Sequence, residues 1–108
     1  MTTGFDQDLE LIFQKLTADR QVRQALAFLE QDAPQTIAQQ KELVLIEAPT
    51  FHEEERSRHY ARLLRKAGLQ DVVIDDKFNV YGKIYGSGNT GKCILLEGHL
   101  DTVFGFGS

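Results

Sequence analysis

Apolar side chains recur every three or four residues from about Leu9 to Glu47. This spacing places them along one face of a helix. Pro34 interrupts the stretch, and because proline suits the first turn of a helix, we expect one helix to end and another to begin there. The pattern therefore predicts two or three helices over residues 1–48.

A further helix is predicted after Pro49, beginning near Thr50 or His52. Glutamates at residues 53–55 bring negative charge to its first turn, and basic residues lie near its C-terminal end, both of which stabilise a helix through its dipole. Gly68 follows the last apolar position and is placed to cap the helix.

After this helix the apolar pattern becomes that of β-strands. Residues 72–74 are β-branched and are followed by two aspartates, residues 79–85 form a second predicted strand, and a glycine-rich loop follows. Residues 93–96 are continuously apolar, which is typical of a strand covered on both faces in an α/β sheet. The predicted fold is therefore α/β, with a helical lead over residues 1–48 and one helix plus three strands over residues 49–108.

The bulk composition narrows the protein class. The 108 residues fit one domain, and 42% hydrophobic with 26% charged residues predicts a globular protein. The net charge of −4 and the scattered basic residues argue against nucleic acid as a partner. No run approaches the roughly 20 apolar residues of a membrane helix and no leader peptide is evident, so we expect the cytoplasm and no membrane partner. Cys93 is the only cysteine, which excludes an internal disulfide.

His99 and Asp101 follow the predicted central strand directly. Open α/β sheets bind ligands at the carboxyl ends of their strands, so the position favours a functional role. Neutral imidazole is a good zinc ligand, and a carboxylate bonded to its other nitrogen fixes the tautomer. In an extended backbone the two side chains would point to the same side. Without further context, a loop histidine beside a turn aspartate is the better interpretation of the pair.

The context is a resemblance to a known family. Residues 95–103, with Gly98 preceding the pair, resemble the first metal motif of the M20 metallopeptidase family, which includes aminopeptidases, carboxypeptidases and N-acyl amino acid deacylases. The upstream order, from Pro49-Thr50 through a helix to residues 79–83, is also similar. The resemblance implies a zinc-peptidase-like α/β/α catalytic domain, present here in part. It implies that His99 binds one of two Zn²⁺ ions and that Asp101 is a catalytic residue tuning that site.

From this resemblance we expect a truncated zinc-dependent hydrolase of amide bonds, acting as a full-length protein on peptides or N-acyl amino acids. The family's remaining metal ligands, its general base and its dimerisation domain have no counterpart in residues 1–108, so we expect this chain alone to be inactive. Relatives in the family are often homodimers. The alternative hypothesis is a small non-catalytic α/β remnant or binding module.

Two other segments resemble known motifs but each lacks a required residue. Residues 86–93 are one residue from a phosphate-binding P-loop, with Cys93 where serine or threonine is required. A P-loop opens a helix, whereas a strand is predicted here, so a strand connection is the better interpretation. His52-Glu53 begins like a zincin motif, but Arg56 stands where that motif needs histidine. His52 is therefore predicted to be a helix-start residue, His59 a surface histidine on the same helix, and Cys93 a small buried residue.

Overall fold

The computed structural model describes residues 3–88 and 90–108. Its elements are α1 (Gly4–Ala18), α2 (Arg20–Leu45), α3 (Glu54–Lys66), β1 (Gln70–Ile74) and β2 (Val80–Lys83). The described residues therefore form a mixed α and β structure, as the sequence pattern predicts at that level. The chain divides into two compact units, Met1–Gln39 and Gln40–Ser108. None of the helices in the described part of the chain is both long and apolar enough to span a membrane.

The boundary between the first two helices lies at Asp19. Its backbone is extended, with φ −67° and ψ 130°, and its Oδ1 accepts a hydrogen bond of 3.0 Å from Val22 N. This geometry ends α1 and caps α2. The predicted break at Pro34 is wrong, because Pro34 lies inside the continuous α2. Pro34 and Glu30 are both exposed, so water can bond the Glu30 carbonyl that loses its helical partner.

The third helix ends as predicted and begins later than predicted. It starts at Glu54, after a turn that contains Thr50 and His52. Gly68 adopts φ 93°, its N–H donates to Arg65 O at 3.0 Å, and the N–H of Leu69 donates to Leu64 O at 3.1 Å. These two bonds form the Schellman motif for which glycine is favoured. They turn the chain directly into β1.

The two strands form an antiparallel pair that packs against α3. Val73 lies opposite Tyr81 and Ile74 opposite Val80. Gly82 lets the β2 backbone lie close to the Leu69 side chain, since a Cβ there would lie 2.7 Å from Leu69 Cδ2 and 3.2 Å from Leu69 Cβ. The first two predicted strands are therefore confirmed, and their pairing on α3 builds the small core of the second unit.

The predicted central strand at residues 93–96 is not found. This segment forms no β-ladder with another described segment, and it is not buried, since Ile94 is 91% and Leu96 90% exposed. Cys93 is also exposed, which contradicts its predicted burial. A strand is stabilised by hydrogen bonds to a neighbouring strand and by packing on its faces. An apolar run alone cannot supply these, so the sheet in the described chain has two strands instead of three.

Candidate functional site

The segment after residue 96 is attached to the loop between α2 and α3. Thr102 N donates a hydrogen bond of 2.9 Å to Ala48 O, and Pro49 and Thr102 form an isolated parallel bridge. Ala48 is buried, with 1% of its surface exposed, so this attachment rests on packed structure. It brings the predicted site residues His99 and Asp101 next to Thr50.

His99 and Asp101 are in contact, as their spacing predicts. His99 Nδ1 lies 3.1 Å from Asp101 Oδ1 and 3.0 Å from the Asp101 carbonyl oxygen. Both atoms are acceptors, so the Nδ1–H tautomer satisfies this geometry and leaves Nε2 with a free lone pair. The His99 side chain is 85% exposed, whereas that of Asp101 is 28% exposed. The pair therefore presents an oriented imidazole at the surface.

Thr50 holds the other oxygen of the same carboxylate. Its Oγ1 donates a hydrogen bond of 2.6 Å to Asp101 Oδ2. The bond from Thr50 and the weaker contribution of His99 lower the pKa of Asp101 below 3.8. At neutral pH Asp101 is therefore an ionised acceptor held from both sides, which suits a carboxylate that orients an imidazole.

Arg56 is a functional candidate that the sequence patterns missed. It lies on α3 and is only 4% exposed. Its Nε donates to Ile46 O at 2.9 Å and its Nη1 to Leu100 O at 2.6 Å. Burial lowers the pKa of the guanidinium, while the charge of Asp101 raises it. Arg56 lies four residues before Tyr60, on the face of α3 that packs inward. A charged residue within this apolar stripe is the sequence signal that could have revealed Arg56.

A cleft of about 370 Å³ opens beside the pair. Its walls are Glu53 and Tyr60, the turn and strand at residues 77–81, and the segment at residues 95–101. His99 and Asp101 contribute to its lining, together with apolar, amide, phenol and charged groups. Ligand sites typically combine an apolar wall with a few convergent polar groups. The arrangement therefore places the oriented imidazole where a small molecule or peptide can reach it.

The other histidines are not brought to this pair. The His52 ring packs edge-on against Phe106 with centroids 5.5 Å apart. The prediction of His59 as a surface histidine is wrong, because its side chain is only 17% exposed. Its Nε2 lies 3.2 Å from Glu42 Oε1 without hydrogen-bond geometry. Within residues 3–88 and 90–108, no three His, Cys, Asp or Glu side chains are grouped so that they could hold a metal ion. The expected two-ion site is not assembled by these residues.

Comparison with known proteins adds no family assignment. No family model matches the chain, and neither a curated protein nor a solved structure matches it.

Proposed function

We propose that this chain carries part of the site of a zinc-dependent hydrolase of the M20 metallopeptidase type, with peptides or N-acyl amino acids as substrates. In this proposal His99 is a metal ligand, Asp101 is its orienting carboxylate, and the protein acts in the cytoplasm. The observation that carries the proposal is the contact of His99 Nδ1 with Asp101 Oδ1 at 3.1 Å, in a carboxylate that Thr50 also holds.

The donor set fits one position of a zinc site. Zinc in proteins favours imidazole nitrogen, and a carboxylate on the opposite ring nitrogen orients the ligand and raises its basicity. Zinc usually takes four ligands, of which three come from protein in catalytic sites. The described residues bring one imidazole, so the proposal requires further ligands from outside residues 3–88 and 90–108.

The roles of this chain's own residues follow from their contacts. Thr50 holds Asp101 through Oδ2, Asp101 holds the His99 Nδ1–H through Oδ1, and His99 offers Nε2 to the metal. When bound, Zn²⁺ polarises a substrate carbonyl and makes water a better nucleophile at neutral pH. The cleft lined by Tyr60 and residues 77–81 would receive the substrate beside this group.

A Zn²⁺ titration followed by NMR of the histidine rings tests the proposal. We expect the His99 signals to move at lower Zn²⁺ concentration than those of His52. Asp101→Asn should weaken binding at His99 by about ten-fold or more, the usual effect of losing a carboxylate behind a ligating histidine. His52→Ala is the matched control and should leave binding at His99 unchanged. Equal response of both rings, or no effect of Asp101→Asn, would contradict the proposal.

Hydrolysis provides the second readout. With Zn²⁺ present, we expect a protein that supplies the remaining ligands to cleave N-acyl amino acids or dipeptides, and His99→Ala to lose both bound zinc and activity. Unchanged hydrolysis in His99→Ala would contradict the role of His99 as a metal ligand of the hydrolase, even if the wild-type protein binds zinc.

A specific observation also favours a second candidate, a non-catalytic binding module. Ile94, Leu96 and Val103 are each about nine-tenths exposed, at 91%, 90% and 92%. Exposed apolar side chains clustered in one segment are typical of surfaces that bind another protein. Sedimentation velocity separates the two candidates: a monomer that binds zinc through His99 supports the hydrolase, and a self-associating chain without zinc affinity supports the binding module.

A further inference from the structure

We infer that Arg56 is a positioning residue that holds the His99–Asp101 pair against α3. The positioning is independent of the metal, whereas its value for catalysis rests on the proposed function. Arg56 lies 44 residues before Leu100, whose carbonyl it bonds. The local sequence around His99 therefore does not reveal this contact.

The guanidinium joins two separate segments of the chain. Its Nη1 donates to Leu100 O at 2.6 Å, and Leu100 stands between the two site residues. Its Nε donates to Ile46 O at 2.9 Å, and Nη2 also donates to this carbonyl just after the end of α2. The peptide that carries the pair is therefore fixed to the end of α2 through a side chain of α3.

Arginine suits this position for a physical reason. A buried charge is costly unless it is well hydrogen-bonded, and Arg56 is 4% exposed. The planar guanidinium presents several donors in a fixed fork, so it can bond two carbonyl groups in different directions. Lysine keeps the charge but carries a single flexible ammonium, which cannot reproduce the fork. The ionised Asp101 adds a favourable charge interaction.

The segment needs this attachment because no sheet holds it. Residues 92–101 belong to no strand of the structure. The named bonds that tie the site peptide to the rest of the unit come from Thr102 N to Ala48 O, from Thr50 to Asp101, and from Arg56 to Leu100. Ala48 and Thr50 belong to one short loop. Arg56 supplies the attachment to a helix that is itself packed on the hairpin.

The experiment measures which tautomer the His99 ring adopts at fixed pH. Long-range ¹H–¹⁵N NMR at a fixed alkaline pH distinguishes the Nδ1–H from the Nε2–H form of the ring. We expect the Nδ1–H form in the wild type and a mixture of both forms in Arg56→Lys. Amide hydrogen exchange at Thr102 should become at least about ten-fold faster in the variant, as expected from the loss of charge-assisted hydrogen bonds nearby. The amide of Asp75, which bonds Asn79 O in the hairpin, should keep its protection.

Arg58→Ala is the matched control, because this exposed arginine of the same helix pairs with Glu54. It should leave the His99 ring nitrogens and Thr102 exchange unchanged. Unaltered ring nitrogens in Arg56→Lys would overturn the inference, and so would equal loss of protection at Thr102 and Asp75, which would assign Arg56 a general role in folding. Failure of wild-type His99 to bind Zn²⁺ would instead count against the proposed function and leave the tautomer result standing.

Discussion

Thr50 and Asp101, which are 51 residues apart in the chain, are joined by a hydrogen bond of 2.6 Å between Oγ1 and Oδ2. The same carboxylate contacts His99 through its other oxygen. The turn before α3 and the segment after residue 96 thus share one charged group. This relationship explains how a loop without a sheet partner can present an oriented imidazole.

Thr50→Val is expected to raise the pKa of Asp101. The hydrogen bond from Thr50 is the main reason that this pKa lies below 3.8 in the folded chain. A lowered carboxyl pKa stabilises the fold above the unfolded value of 3.8, and this contribution disappears as pH falls through the lower folded pKa. A ¹³C-NMR titration of the Asp101 carboxyl measures the change directly.

The control for this experiment is Thr36→Val. Thr36 Oγ1 bonds Asp32 Oδ2 at 3.4 Å within α2, far along the sequence from the candidate site. It should leave the titration of Asp101 unchanged. An equally low pKa of Asp101 in Thr50→Val would show that the hydroxyl does not hold the carboxylate in solution.

Ser57→Ala should destabilise the second unit by about 1–3 kcal/mol. The Ser57 side chain is fully buried, with 0% exposed, and donates a hydrogen bond of 2.6 Å to Phe78 O. Phe78 adopts φ 65°, an uncommon conformation for a residue with a large side chain. Removal of the hydroxyl leaves the carbonyl without its donor. Urea denaturation measures the loss, and Ser87→Ala at an exposed loop position should have no effect.

Gly82→Ala should also destabilise the packing of the hairpin on α3, by about 1–3 kcal/mol, the usual cost of overpacking. The added Cβ would lie 2.7 Å from Leu69 Cδ2 and 3.2 Å from Leu69 Cβ, so Leu69 must move, whereas 3.4 Å to Leu64 Cδ1 is an ordinary contact. Thermal denaturation compares this variant with Gly86→Ala, where a Cβ meets nothing within 4 Å. Equal stability of the two variants would mean that the strand is less closely packed than the structure indicates.

Asp75→Ala should lower the pKa of Tyr81 toward 10.0. The Asp75 carboxylate accepts a hydrogen bond of 3.2 Å from the Tyr81 hydroxyl, and this bond together with the negative charge raises the phenol pKa. NMR titration of the tyrosine rings resolves the effect. Tyr85 is the internal control, because its pKa is raised by Asp71 and should stay raised. A high pKa of Tyr81 that persists in Asp75→Ala would contradict the hydrogen bond.

Local features were predictable from the sequence because their causes lie within a few residues. Gly68 ends α3, where its N–H donates to Arg65 O and the N–H of Leu69 donates to Leu64 O, and the β-branched run at residues 72–74 forms a strand beside the next one. The contact of His99 with Asp101 follows from a spacing of two residues. In each case the interacting atoms are neighbours in the chain, so residue type and spacing carry the information.

Pro34 and the apolar run at residues 93–96 are two places where the local pattern predicted the wrong structure. Pro34 does not break α2, because flanking residues continue the helix and water can bond the freed carbonyl. The apolar run does not form a strand, because strand formation depends on a partner elsewhere in the fold. Both outcomes depend on surroundings that a local pattern does not contain.

By itself, the sequence therefore determined that the described part of residues 1–48 is mainly helical, that α3 ends at Gly68, that two strands follow it, and that His99 contacts Asp101, since short-range sterics, capping and spacing produce these features. Tertiary structure alone decided that Thr50 holds Asp101 and that the buried Arg56 bonds Leu100. These contacts join residues separated by 51 and 44 positions, so the hydroxyl and the guanidinium meet their partners only when the folded chain brings the two segments together.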